Sequence, residues 1–164
     1  RGPAENYLDR NAGSMVGLYK STAEELYFPY VRPQENGHHT DTRWVSLSTG
    51  KKGLLIQADN TIGFNALRNS IEDFDDEEAT GLSRQWSNFT PEQVANHDEA
   101  AAKNVLRRQH HINDITPRDF VEVCVDLKQQ GVAGYDSWGS RPEPAYTLPA
   151  NREYNWGFTL IPLK

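Results

Sequence analysis

Carboxylates are the most abundant side chains in this sequence that could do acid–base chemistry, with 23 Asp and Glu residues in all. Hydrolysis of a glycosidic bond uses two of them, held roughly 5 to 9 Å apart with one protonated. The acidic run at residues 75–78 has the composition of a solvated surface. Glu5, Asp9, Glu35 and Asp41 lie in turn-like stretches with Gly, Pro and Asn. Because no spacing pairs any of them with a second carboxylate, the sequence favours structural roles for each.

Histidine pairs and a single cysteine are further candidates for chemistry. His38 and His39, like His110 and His111, are adjacent in sequence. Neighbouring residues on a strand or helix point in different directions and share one metal poorly, so we expect surface histidines. Cys124 would be a nucleophile only beside a base, and its place in an alternating pattern favours a buried structural thiol. Phosphate-binding glycine loops, Gly-x-Ser-x-Gly and Cys-x-x-Cys are all absent from the sequence.

Trp138 is the residue whose position is hardest to explain by folding alone. It lies in residues 131–139, which include three glycines, and two prolines follow within residues 140–144. Asp136 and Ser137 favour turns, so the whole stretch is predicted to be a loop. A large aromatic ring on a loop is either packed into a core, which is the commoner outcome, or displayed to a ligand. Displayed, it could stack on the C–H face of a sugar.

The sequence predicts that β-strands form most of the structure that positions these residues. Residues 120–128 alternate apolar and polar side chains, and residues 152–163 repeat the pattern with an aromatic face that suggests sheet-on-sheet packing. A polar turn of hairpin length separates residues 43–48 from residues 53–58. The sequence therefore predicts an all-β protein. Two weaker strand candidates are residues 13–21 and 27–32.

The middle of the chain departs from the strand pattern. Residues 69–78 are acidic, and the four residues from Thr90 have the composition of a helix start. Residues 97–111 carry acidic side chains early and basic side chains late, which suits a helix dipole. Their apolar stripe is thin, so we predict an exposed helix. Nothing repeats internally, and we predict a single domain over residues 1–164.

Length and charge limit the classes of protein to consider. A chain of 164 residues suits one domain with a real core, and its net charge of -6 argues against nucleic-acid and anionic-membrane surfaces. One cysteine excludes an internal disulfide and leaves the redox compartment open. The chain begins at Arg1 and its only methionine is Met15, so we expect a piece of a longer protein.

Four segments, in order, resemble the C-terminal small-chain domain of family 2 bacterial β-galactosidases. They are residues 2–10, 29–37, 42–44 and 131–139, and the likeness continues through residues 146–149 and the closing strand. The resemblance implies an antiparallel β-sandwich that is part of a galactose mutarotase-like β-supersandwich. Residues 75–108 are longer than in that family, so we interpret them as a short helical insertion.

The same resemblance implies roles for the loop at residues 131–139. Trp138 matches the family tryptophan that reaches into the active site of the central barrel and stacks on the sugar. Tyr135, Asp136 and Ser137 are the accompanying substrate-binding candidates. The catalytic glutamates and the magnesium and sodium ligands of the family lie in the barrel and its neighbours. We therefore assign no catalytic residue, metal or cofactor to this chain.

The resemblance also implies what surrounds the domain. The longer protein would be a retaining β-galactosidase and a homo-oligomer, in the cytoplasm or the periplasm of a bacterium. Its expected partners are a β-galactoside and the catalytic barrel and other domains of the same chain, without nucleic acid or membrane. Alone, this piece is expected to be inactive.

Two departures from the family pattern fall in the loop. The usual pattern reads Gly-x-Gly-Gly-Asp-Asp-Ser-Trp, whereas this chain has Ala133 and Tyr135 in place of a glycine and an aspartate. If residue 133 needs a positive φ angle, alanine costs about 1 kcal/mol there. Tyr135 either adds a second ring to the sugar platform or packs inward.

Three alternatives to this interpretation stay open. The chain could be an independent carbohydrate-binding module, or a purely structural domain that braces an interface and buries Trp138. An apolar patch beside residues 2–10 would support the structural role. A mutarotase-like activity has little support, because no His and Glu pair can be assigned and fold does not imply function.

Overall fold

The computed structural model describes residues 1–30, 36–74, 112, 115–136 and 138–164. These residues form one four-stranded antiparallel sheet and two short 3-10 helices. The strands are β1 His39–Ser48, β2 Gly53–Leu67, β3 Glu122–Asp126 and β4 Phe158–Leu163, and the 3-10 helices are Ile71–Asp73 and Pro144–Tyr146. The predicted all-β class is confirmed. The sandwich and its mutarotase-like layers stay a prediction.

The hairpin of β1 and β2 has the predicted turn but longer strands. Thr49 N–H donates to the Lys52 carbonyl at 2.9 Å, and Gly50 supplies the positive φ of 92° that the turn needs. β1 begins at His39 and β2 continues to Leu67. Between the pairs Trp44–Gln57 and Thr42–Ile62, β1 advances by two residues and β2 by five. This irregularity hides the second half of β2 from a pattern with a strict period of two.

β2 is the centre of the sheet because both of its edges are paired. β1 pairs with one edge of β2. Along the other edge, β4 pairs with residues 53–58 of β2 and β3 pairs with residues 63–67 of β2. Leu55 opposite Ile161 and Phe64 opposite Val125 mark the two registers. The strands predicted at residues 120–128 and 152–163 are thus confirmed in their central and final parts, respectively.

Several predicted elements are absent or lie outside the description. Residues 13–21 form no strand but only an isolated bridge from Met15 to Gly2, and residues 27–30 form none either. Residues 152–157 stay irregular, because Tyr154 Oη donates to the Pro149 carbonyl at 3.0 Å and Arg152 lies over the Tyr154 ring. The predicted helix near Thr90, the remainder of the insertion, and Glu35 lie outside the described residues.

The buried interior is small and partly polar. Its apolar members are Ile56, Ile62, Ala66 and Leu67 of β2, together with Tyr7 and Ala133. Buried amides beside them are hydrogen-bonded, as expected for polar groups removed from water. Asn36, for example, accepts from Phe28 N–H at 2.7 Å and donates to the Phe28 carbonyl at 2.5 Å. In the described part of the chain, no helix is long and apolar enough to cross a membrane.

The prediction of surface histidines is wrong for His38 and His39. Both are buried, at 1% and 6% exposure, at the start of β1. His38 stacks on Tyr7 with 5.4 Å between ring centroids, and the room for its ring comes from Gly63, which has no side chain. His39 stacks on Phe64 at 5.3 Å. Aromatic stacking on the sheet, invisible in the sequence, draws both rings inside. His110 and His111 lie outside the described residues.

Candidate functional site

Trp138 projects from its loop into solvent. Its side chain is 94% exposed, the largest exposed fraction among the large apolar residues that the structure describes. Within this chain the ring is therefore not part of the core. The indole face is available to a ligand or to another domain.

The loop turns sharply before it reaches Trp138. Ala133 and Gly134 both have positive φ angles, of 54° and 80°. Two successive left-handed residues reverse the local direction of the chain, and only glycine adopts this conformation without cost. The condition stated for Ala133 is thus met, and alanine there costs about 1 kcal/mol relative to glycine. Gly139, with φ of 82°, ends the loop in the same conformation.

Asp136 closes the tip of the loop around Trp138. Its Oδ1 accepts from Trp138 N–H at 2.8 Å and from Ser140 N–H at 3.4 Å, an Asx-type turn. Ser140 Oγ accepts in turn from Tyr135 N–H at 3.1 Å. The tip is therefore held by its own side chains. Ser137, the remaining predicted site residue, lies outside the described residues.

Tyr135 lies on the solvent side of the same loop. It is 59% exposed, so of the two alternatives stated for it, inward packing is excluded within this chain. The Oδ2 oxygen of Asp136, unlike Oδ1, accepts no hydrogen bond from the described residues. The loop thus presents two aromatic rings and one carboxylate oxygen to solvent within four residues of sequence.

Asp9 holds the base of the loop. Its Oδ1 accepts from Val132 N–H at 3.1 Å and its Oδ2 from Ala133 N–H at 2.9 Å. Gly131 lies directly against the carboxylate, because a Cβ atom there would be 2.5 Å from Asp9 Oδ2. Gly131 N–H donates to the Tyr146 carbonyl at 2.8 Å. The sequence indicated only a turn at Asp9, since no pattern in a single sequence connects residues 123 positions apart.

The turn that carries Asp9 is itself fixed to β1. Asn6 is 1% exposed, and its Oδ1 accepts from Thr40 N–H at 3.1 Å and from Thr40 Oγ1 at 2.6 Å. Asn6 N–H donates to the His38 carbonyl at 2.8 Å. Residues 2–10, expected to fold a turn or to seat the domain on its neighbours, therefore connect the sheet to the Trp138 loop, and we call this segment the bracket.

The other acidic candidates have structural contacts. Glu5 Oε2 accepts from Gly37 N–H at 2.7 Å and from Tyr30 Oη at 3.0 Å, while burial raises the pKa of the Glu5 carboxyl. Asp41 forms an ion pair with Arg1 at 2.6 Å. A raised carboxyl pKa is a feature of catalytic acids, but Glu5 is hydrogen-bonded to two groups of this chain that lie 32 and 25 positions away in sequence. Its contacts agree with the structural role predicted for it.

Cys124 and the possible metal-binding side chains are the remaining candidates for chemistry. Cys124 lies in β3, where it is half-buried rather than buried and forms no disulfide. Its N–H donates to Asn65 Oδ1 at 3.3 Å. A search of the described residues for three or more His, Cys, Asp or Glu side chains that could share one metal ion found no such group.

A large groove lies away from the Trp138 loop. It has a volume of about 1270 Å³ and is lined by residues 16–24 and by residues of β1, β2 and β3. Residues 131–140 do not line it. Its walls include five apolar side chains of the sheet, Val45, Leu47, Leu54, Phe64 and Val123. The groove is therefore separate from the exposed ring of Trp138.

Comparison with known proteins gives one consistent family. The pattern that describes the beta galactosidase small chain matches residues 1–160. A β-galactosidase of Priestia megaterium is 35% identical over 164 residues, which is 99% of this chain and 13% of that protein. The β-galactosidases of Streptococcus thermophilus and Pseudoalteromonas haloplanktis are 29% and 26% identical over 99% and 97% of this chain. The chain spans only about 13% of the length of such relatives.

Proposed function

The chain belongs to the beta galactosidase small chain family, and from that premise we propose that it is the C-terminal domain of a β-galactosidase. The full-length enzyme would hydrolyse terminal non-reducing β-D-galactose residues in β-galactosides, with retention of configuration. The domain's part would be to supply an aromatic sugar platform and structural support to an active site on the barrel. The match along residues 1–160 is the observation that carries this proposal.

Trp138 is the platform in this proposal. A galactoside has a patch of C–H groups on one face, which an indole covers while polar groups elsewhere bind the hydroxyls. Such an aromatic contact adds about 1 kcal/mol beyond the burial of area. The 94% exposure of Trp138 and its position on an anchored loop support the role, since a binding ring must be both accessible and held in place.

Tyr135, Asp136 and Ser137 are proposed to complete the contact with the sugar. Tyr135 is exposed and would extend the aromatic surface. Asp136 uses Oδ1 to hold the loop, which leaves Oδ2 to accept from a sugar hydroxyl. Ser137 follows from the resemblance alone. None of these groups forms or breaks a bond, because the catalytic glutamates and the magnesium and sodium sites are assigned to other domains of the enzyme.

Substitution of Trp138 in the full-length enzyme tests the platform. We expect Trp138→Ala to raise KM for a β-galactoside roughly tenfold, or about 1.4 kcal/mol, because the stacking contact is lost. The melting temperature should stay within about 2 °C, since an exposed ring contributes little to folding. Trp138→Phe should retain part of the affinity. Steady-state kinetics and calorimetry measure both quantities.

Trp156→Ala is the matched control for this test. Trp156 is 46% exposed and packs on Phe158 at 5.5 Å between ring centroids. Its loss should lower the melting temperature and leave KM unchanged. If Trp138→Ala instead lowers melting temperature and activity together, the ring is part of a domain interface and the platform is wrong.

A purely structural role is the second candidate function, and exposed apolar residues favour it. Met15, Val16 and Leu18 are 72%, 55% and 79% exposed, and Met15 bridges to Gly2 in the segment 2–10. This is the apolar patch expected of an interface with a neighbouring domain. Substitutions to Glu in the patch would then lower the melting temperature of the full-length enzyme, as measured by calorimetry, without a selective change in KM.

A free carbohydrate-binding module is the third candidate, because Trp138 is exposed in this chain alone. Titration calorimetry of residues 1–164 with galactosides decides it. Weak binding by the isolated chain would favour the module, whereas no heat of binding would favour a site that only the barrel completes.

A further inference from the structure

We propose that Asp9 is a positioning residue that sets the direction of the Trp138 ring. The inference rests on the function proposed for Trp138, and it concerns a residue far away in sequence that contacts the base of the loop rather than its tip. It is carried by two hydrogen bonds and one close packing contact at the base of the loop.

The two hydrogen bonds are suited to a carboxylate. Val132 and Ala133 present successive N–H groups, and each donates to a different oxygen of Asp9. Carboxylates have acceptors on both atoms and form stronger bonds to N–H groups than neutral amides do. An asparagine would keep one acceptor and place an NH₂ donor against the second N–H.

The contacts lie at the point where the loop changes direction. Ala133 has the left-handed φ of 54°, and its N–H is held by Asp9 Oδ2 at 2.9 Å. The hydrogen bond therefore restrains the residue for which the conformation is least favourable. Gly131 packs against the same carboxylate with no space for a side chain. The path of residues 131–134 is thus fixed from one side by a single group.

Few other described hydrogen bonds connect the loop to the rest of the protein. Among residues 131–136 and 138–140, hydrogen bonds of Asp136 and Ser140 stay within the loop. Those that leave it come from Gly131 to Tyr146 and from Val132 and Ala133 to Asp9. The described hydrogen bonds from this loop to the rest of the protein therefore all lie at its base. We expect a change at Asp9 to shift this base and, with it, the Trp138 ring.

Asp9 itself is held firmly enough to serve as the reference. Its turn is fixed to β1 by buried Asn6, and Arg10 N–H donates to the Tyr7 carbonyl at 2.8 Å. Tyr7 is 3% exposed and stacks on His38. The sheet thus determines where Asp9 lies, and Asp9 determines where the loop begins.

A double-mutant cycle in the full-length enzyme tests the inference. We expect Asp9→Asn to raise KM for a β-galactoside about fivefold with kcat changed by less than about twofold, because the ring is misplaced and the catalytic groups are untouched. In the Trp138→Ala background, Asp9→Asn should cause no further rise in KM. The matched control is Asp59→Asn, which makes the same chemical change at another carboxylate. Asp59 is an exposed residue of β2 that packs against Gly157, so its substitution should leave KM unchanged.

The outcomes separate this inference from the function on which it rests. If Trp138→Ala raises KM and Asp9→Asn does not, positioning by Asp9 is wrong and the platform stands. If Asp9→Asn raises KM equally in both backgrounds, Asp9 acts on something other than Trp138, and the inference is overturned. An unchanged KM for Trp138→Ala would overturn the platform and the inference together.

Gly131→Ala provides a second route if the Asp9 variant does not fold. Its Cβ would be 2.5 Å from Asp9 Oδ2, so the loop base must shift while the carboxylate and its charge remain. We expect the same rise in KM, again absent in the Trp138→Ala background. A folded Gly131→Ala enzyme with unaltered KM would contradict the inference.

Discussion

At the scale of single residues, the hydrogen bond from Ala133 N–H to Asp9 Oδ2 joins the Trp138 loop to the N-terminal segment of the chain. The missing glycine indicated a position at which φ would matter, and the angle is indeed 54°. The exposure of Trp138 was likewise one of two outcomes that its loop composition allowed. Asp9 could not be connected to either, because the contact joins residues 124 positions apart and depends on how the whole sheet folds.

His38 provides a prediction of pH dependence at the same scale. Burial lowers the pKa of the His38 imidazole from its usual 6.5 to about 4, and neither ring nitrogen has a hydrogen-bond partner in the described part of the chain. Well above pH 6.5 the ring is neutral in both states and His38 contributes no pH dependence to stability. Between pH 6.5 and 4 the unfolded chain binds a proton at this residue that the folded chain does not. The contribution of His38 to stability should therefore fall by about 3 kcal/mol over this range.

Thermal unfolding of the full-length enzyme between pH 4 and 8 checks the prediction against His38→Phe. Phenylalanine keeps a flat ring on Tyr7 and cannot titrate, so the variant should lose much less stability in acid than the wild type. Burial also lowers the pKa of His39, which adds a smaller effect of the same sign. Equal acid sensitivity in both proteins would contradict the assignment.

At the scale of elements, the strands that could be predicted are those with regular alternation. β3 and the start of the hairpin alternate apolar and polar side chains with a period of two, and the turn between the hairpin strands has typical turn residues. Asp59 and Asn60 have turn composition, yet they lie inside β2, where the pairing with β1 is irregular. Residues 152–157 alternate well, but local contacts around Tyr154 replace pairing. In both cases, contacts with residues distant in sequence or with local side chains, and not the alternation pattern, determine whether the segment is a strand.

The described segments that flank the predicted insertion, residues 75–108, contact each other. Arg118 forms a two-point ion pair with Asp73, and its N–H donates to the Arg68 carbonyl at 2.6 Å. Asn69 Nδ2 also donates to the Thr116 carbonyl at 2.9 Å. The described segments on either side of residues 75–114 therefore lie next to each other.

We predict that a short Gly/Ser linker can replace residues 75–114. The full-length variant should keep kcat and KM within about twofold, because the contacts of Asp73 and Arg118 close the gap without them. Steady-state kinetics measures this. A matched variant that adds Arg118→Ala should lose stability, whereas loss of activity in the linker variant alone would assign residues 75–114 a role in the enzyme.

At the scale of the whole molecule, the sheet is incompletely covered. Leu160 and Trp44 are 54% and 49% exposed, and Leu18 beside the groove is 79% exposed. Exposed apolar area of this extent on a separate protein promotes association. The chain spans about 13% of its relatives' length, so we expect other parts of the full-length enzyme to cover these surfaces.

Residues 1–164 expressed alone should therefore self-associate and bind the dye ANS strongly, while the full-length enzyme should not. They should also show no hydrolysis of a chromogenic β-galactoside. Light scattering, dye fluorescence and an activity assay measure the three properties. A paired substitution, Leu18→Glu with Leu160→Lys, should reduce dye binding. A monomeric, dye-free wild-type chain would show that the sheet is complete without further domains.

The bracket of residues 2–10 has a consequence for how such domains can be recombined. A designer who exchanges only residues 131–139 between two relatives would separate the loop from the turn that aims it, since Asp9 lies near the opposite end of the chain. Residues 2–10 and residues 131–139 would therefore have to be exchanged together.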